Sequence, residues 1–177
     1  MSKRVIDLYT GNGRILGIDP GFARCGYGIV GREQNALVAF DWGCIQTTPK
    51  TGCPPERLLT IYDSIENLIT VHKPVCLACE KLFFSRNTTT AMQVSEARGV
   101  IILAAAKHQL PVFEYTPKQV KLAITGSGMA DKKQVQMMIA RLFRLSDIPK
   151  PDDAADGLAL ALCHICLLYT SPSPRDS

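Results

Sequence analysis

Long apolar runs are missing from this chain of 177 residues, and none approaches the roughly 18 residues that a membrane-spanning helix needs. Met1 to Arg14 has no apolar signal-peptide core, so a cytosolic protein is expected. Charge of one sign is scarce too: 20 Lys and Arg face 16 Asp and Glu, a net of +4 with a pI near 8.7. So mild an excess permits an anionic partner and demands none. A phosphate-cradling glycine loop is also absent, because Gly126-Ser127-Gly128 is too short and is expected to be a flexible connector. What remains is 46% hydrophobic and 20% charged, a balance that suits one globular domain with its own core.

Cysteine is not scarce, and its seven copies include two CxxC pairs, Cys76/Cys79 and Cys163/Cys166. Zinc knuckles are nevertheless not expected. Cys76 and Cys79 fall in a strand, where an offset of three sends side chains to opposite faces, and Cys163 and Cys166 continue an apolar helix. An odd number of thiols in a cytosolic chain reads as reduced, buried small hydrophobes.

Residues 1–13 are polar and aperiodic, a loose extension. Ile15 to Asp19, Gly26 to Gly31 and Ala36 to Ile45 are short apolar or alternating runs split by turn residues, which predicts a three-stranded antiparallel meander. Pro54-Pro55 opens a helix with Leu58, Leu59, Tyr62, Ile65, Leu68 and Ile69 at helical spacing. Val75 to Cys79 is a strand, Thr88 to Gln109 a long helix and Val112 to Tyr115 another strand, so parallel βαβ units follow. Thr116-Pro117 caps a short helix that stops at Gly126, and Asp131 begins another. That second helix puts Val135, Met138, Ile139, Leu142 and Phe143 on one face, its methionines being read as core. Asp152 starts a last helix with Ala155, Leu158, Ala159 and Leu162 inward. Residues 167–177 lose periodicity and are expected to be disordered or non-native.

In this architecture four acids converge from three segments: Asp19 ends the first strand, Glu80 ends the fourth, and Asp153 and Asp156 open the last helix on one face. An all-oxygen set suits Mg²⁺ or Mn²⁺, and two such ions can activate a water and stabilise a departing oxygen in phosphodiester hydrolysis. Each acid also has a simpler reading. Asp19 before Pro20-Gly21 makes a turn, Asp152 or Asp153 serves as an N-cap, Asp156 pairs with a buried arginine, and Glu80 pairs with Lys81 on the surface. Their joint placement favours the cluster. Lys118, Lys121, Lys132 and Lys133 flank the Gly126 to Gly128 loop and can form a basic rim for phosphates, the alternative being a solvated helix face. Phe83 and Phe84 follow Glu80 closely enough for one to stack on an unpaired base, the alternative being core packing, which is expected of at least one of them.

Matched in order, ILGIDPGFARCGYGIV, CEKLFFSRN, SEARGV, VFEYTPKQVK with ITGSG, ADKKQVQ and DDAADGLALALCH resemble the RuvC family, from Arg14 to about Cys166. These are bacterial Holliday junction resolvases, crossover junction endodeoxyribonucleases. The resemblance implies an α/β, ribonuclease H-like fold, a mixed five-stranded sheet with helices on both faces, and a nuclease domain over 14–166. It carries the catalytic and metal-holding acids onto Asp19, Glu80, Asp153 and Asp156, the DNA-contacting lysines onto Lys121 and Lys132, and the junction aromatic onto Phe83. It further implies Mg²⁺ with Mn²⁺ as substitute, a four-way DNA junction as substrate, a homodimer, and RuvA and RuvB as partners. Two alternatives belong to other classes: an actin-like phosphotransferase, which needs two such lobes, and a non-catalytic DNA-binding module, which has no need of four acids. A stripe of Ala91, Ser95 and Gly99 on the long helix, with Glu96 and Arg98 beside it, fits a helix-to-helix dimer contact or packing on the chain's own sheet.

Overall fold

A computed structural model describes residues 13–34, 36–81 and 88–170. The strands are β1 Ile15–Asp19, β2 Arg24–Glu33, β3 Ala36–Gln46, β4 Cys76–Glu80 and β5 Val112–Tyr115, in the sheet order β3-β2-β1-β4-β5. β1 to β3 form the antiparallel meander, and β4 joins β1 and β5 in parallel. The helices are α1 Pro54–His72, α2 Thr88–Lys107, α3 Pro117–Thr125, α4 Lys132–Leu142 and α5 Asp152–Thr170.

Strand alternation sorts the core into two layers. Leu16, Ile18, Leu77 and Cys79 face α1 and α2, while Ile15, Cys76 and Ala78 face α3, α4 and α5. Cys76 and Cys79 therefore lie in opposite layers, as their offset predicts. Asp19 and Glu80 continue the α5 side by the same period. The α2 stripe does not pack on the sheet: Ala97, Ile101, Ala104 and Ala105 turn inward, while Ser95 and Gly99 are exposed beside Met92 and Leu103. A Cβ at Gly99 would meet nothing.

Helix starts follow side-chain chemistry. Thr116 accepts a bond from the Gln119 amide at 3.2 Å and Asp131 from the Gln134 amide at 2.8 Å, each answered by the glutamine side chain. The Gly126 to Gly128 segment is not a loose connector. Gly126 caps α3 at φ 76°, and the Thr125 hydroxyl bonds both the Ser127 amide and its carbonyl, closing a tight turn.

Two core assignments are corrected. Met137 and Leu142 are exposed, because α4 turns Val135, Gln136, Ile139 and Phe143 inward and its remaining surface outward or to the margin. The last helix continues past Cys166 to Thr170, and Leu167 packs against the core because the apolar lining of the sheet extends that far. Residues 171–177 lie outside the described residues, as do 1–12.

Candidate active site

Bare backbone at four positions builds the site. A Cβ on Gly17 would overlap the Gly157 carbonyl, one on Gly26 the Asp153 carbonyl, and one on Gly28 the Leu158 amide, while one on Gly157 would overlap β2 itself. Without side chains between them, α5 lies directly on β1 and β2. That contact brings the first turn of α5 over the end of β1. The sheet register places Asp19 opposite Gly26, and β4 carries Glu80 to the same edge.

Asp19, Glu80 and Asp156 line one cavity of about 260 Å³. Lys121 and Val120 of α3, Lys132 and Val135 of α4, and Ala159 and Leu160 of α5 complete its walls with Pro117. Burial pushes the Asp19 carboxyl up to about 7, with Glu80, Asp156 and Asp153 adding repulsion and Lys132 relieving part of it. Burial also raises Glu80, helped by Asp156. Asp156 is raised by burial against the opposing hydrogen bond from Lys132. The cleft therefore holds more negative charge than its own cations neutralise.

The other two charges are more settled. Arg24 gives Nε at 2.8 Å and Nη2 at 2.5 Å to Asp153 Oδ2, and this bond holds the Asp153 carboxyl below the usual range. Lys132 Nζ lies 3.0 Å from Asp156 and 3.9 Å from Asp152. Burial works against that ammonium, but the Asp156 bond and the surrounding aspartates outweigh it and raise its pKa. Asp156 thus meets a lysine of α4 where an arginine pairing was the simpler alternative.

An all-carboxylate donor set with a deficit of positive charge fits a hard divalent cation. Among the described residues no three His, Cys, Asp or Glu side chains are yet set to hold one ion. Asp153 is committed to Arg24 and Asp156 to Lys132. Of the sequence-derived residues, the cavity gathers Asp19, Glu80, Asp156, Lys121 and Lys132, leaving Asp153 outside its lining. Lys118 and Lys133 are exposed on the flanking helices, Lys118 lying along Gly128. Phe83 falls outside the described residues. Arg24 is not among the residues that the sequence motifs mark for the site. Its signal was the alternation Arg24, Gly26, Gly28 on β2, which puts a guanidinium on the face that the glycines open to α5.

A ribonuclease H-like sheet with a carboxylate cleft at this strand edge defines a class of enzymes that cut phosphodiester bonds with divalent metal. The family model described as crossover junction endodeoxyribonuclease RuvC matches residues 15–164. A Desulfitobacterium hafniense protein of that name is 54% identical over 150 residues, covering 85% of this chain and 90% of its own length. A counterpart from Alkaliphilus metalliredigens is 55% identical with 85% and 91% covered. Among solved structures, T. thermophilus RuvC in complex with Holliday junction substrate aligns with a TM-score of 0.82 at 31% identity, covering 90% of this chain and 95% of that one. The chain belongs to the RuvC family of crossover junction endodeoxyribonucleases.

Proposed function

We propose that the cleft resolves four-way DNA junctions by paired, symmetric hydrolysis, with Asp19, Glu80, Asp153 and Asp156 holding Mg²⁺, or Mn²⁺ in its place, as two ions per site. The observation that carries this is Asp19, a partly buried carboxylate crowded by three others, for which a divalent cation is the natural counter-charge. Such ions, when bound, supply an activated water and charge stabilisation at the departing oxygen. Lys121 and Lys132, on the cavity wall, are placed to attract phosphates, and Lys118 and Lys133 extend that rim outward. Phe83 is assigned to stack on a base at the branch point. RuvA and RuvB are taken as partners from the family likeness, and the cytoplasm as the compartment; no helix of the described residues is long and apolar enough to cross a membrane.

A junction is two-fold symmetric, so two equivalent sites in a homodimer match it. The exposed stripe of α2 supports that contact: Met92 is 66% and Leu103 59% exposed, with small Ser95 and Gly99 between them. Arg98 is not free for such an interface, since it pairs with Glu114 within the chain. Ser95→Trp is expected to give a folded monomer that binds junctions weakly and does not resolve them. In light scattering, an undisturbed variant dimer removes the helix assignment, and an active wild-type monomer at assay concentration removes the dimer. Incubation with a labelled four-way junction, plain duplex or ATP, each with and without Mg²⁺, tests the activity. Paired cuts confined to the junction with Mg²⁺ are expected, and ATP turnover or binding without cutting overturns the reading.

A further inference from the structure

Three of the four acids line the cavity, while Asp153 is held at its margin by one guanidinium. Both Arg24 donors converge on a single oxygen, Asp153 Oδ2. Arg24 is the first residue of β2 and shares the strand face of Gly26, the position that lets the Asp153 backbone approach the sheet. The close contact that delivers Asp153 to the site therefore also delivers it to an arginine. A hard cation competes for the same lone pairs that the two N–H groups occupy.

We infer that Arg24 is a positioning residue, an internal counter-ion that holds Asp153 out of the cleft until a divalent cation displaces it. This rests on the reading that the four acids hold divalent metal. Before metal arrives, the guanidinium limits the repulsion among the carboxylates. Afterwards it has lost its partner, and Asp153 has exchanged one cation for another. The exchange is inexpensive because the pair sits at the mouth of the site, the Arg24 side chain 49% and Asp153 23% exposed. An ion pair so reached by solvent is weak, so the competition it offers the metal is modest. Lys132 plays no equivalent part at Asp153, since its ammonium lies on Asp156 and toward Asp152.

The test is Mn²⁺ titration of the purified, metal-stripped protein, read by calorimetry and by melting temperature, on wild type, Arg24→Ala and Arg24→Gln, each with and without Asp153→Asn. Both Arg24 variants are expected to bind Mn²⁺ about fivefold more tightly, the modest change expected on removing a solvent-reached ion pair. They should melt lower than wild type without metal and close that gap when Mn²⁺ is saturating. In the Asp153→Asn background the Arg24 change should leave the Mn²⁺ affinity unaltered. Weaker binding in Arg24→Ala and Arg24→Gln would show that the arginine orients Asp153 for the metal, and equal binding that it does neither; each overturns the inference alone. Failure of Mn²⁺ to bind any of the proteins overturns the metal reading and this inference with it.

Discussion

Two polar clusters hang from α5 about two turns apart on the same face of the sheet, and the fold treats them in opposite ways. At the helix start, Asp156 joins Asp19 and Glu80 in a cavity whose carboxylates outnumber its cations. Further along, His164 is 1% exposed yet completely engaged. Its Nδ1 lies 2.5 Å from the Tyr115 hydroxyl and its Nε2 3.3 Å from the Cys76 thiol, with the Phe113 ring 4.4 Å away. A neutral imidazole satisfies both contacts, one nitrogen donating and the other accepting. Burial holds its pKa down to about 4, so it stays neutral. A buried polar group with partners is architecture, and a crowd of carboxylates with too few cations is a place left for something else.

The two clusters differ most at Asp19. Asp19→Asn should leave junction binding in a gel shift but cost cleavage more than the roughly 10- to 100-fold typical of outer partners of a metal ligand. The same variant should melt higher than wild type without metal, because a crowded carboxylate has been neutralised. A variant that cuts at near wild-type rate would remove Asp19 from the centre.

His164→Leu is expected to do the reverse. It leaves the buried Tyr115 hydroxyl without its partner and should cost about 1–3 kcal/mol in denaturant unfolding, with cleavage retained below the shifted midpoint. Lost cleavage in a fully folded variant would mean that the two clusters act as one. Smaller again, Lys121→Ala and Lys132→Ala should each flatten the salt dependence of junction binding by about one unit of slope, and unchanged slopes would make them an idle surface.

The least conspicuous effect is in pH. The Asp19 pKa is raised in the folded state, so its contribution to the stability of the metal-free protein is present in acid and lost as pH rises toward about 7. That of His164 is depressed, so its contribution is present above about 6.5 and lost as pH falls toward about 4. The two slopes oppose each other between those limits. Relative to wild type, metal-free Asp19→Asn should gain a stability loss on acidification, and His164→Leu a loss on raising the pH. Parallel curves for all three proteins would show that neither group titrates as its surroundings require.

Much of the fold was legible because it rests on local chemistry. Thr116 and Asp131 name their helix starts by the glutamine three residues on, and the alternation in β1 and β4 states which side chains share a layer. Met137 and Leu142 were misread because apolar residues at helical spacing do not reveal how wide a strip of the helix is covered. The end of α5 lies beyond the sequence-based boundary because residues 167–170 have weak periodicity, while the core that Leu167 packs against is assembled by elements distant in the chain.

By itself the sequence determined the layers, the caps and that Asp19 and Glu80 end neighbouring strands on one side of the sheet, since these depend on residue type and a period of two or 3.6. Only the tertiary structure decided their electrical state. Whether a carboxylate meets an arginine, a lysine or another carboxylate depends on how closely α5 can lie on β1 and β2, and that distance is set by glycines far apart in the chain. Arg24 and Asp153, 129 residues apart, became partners because Gly26 has no side chain to keep them separate.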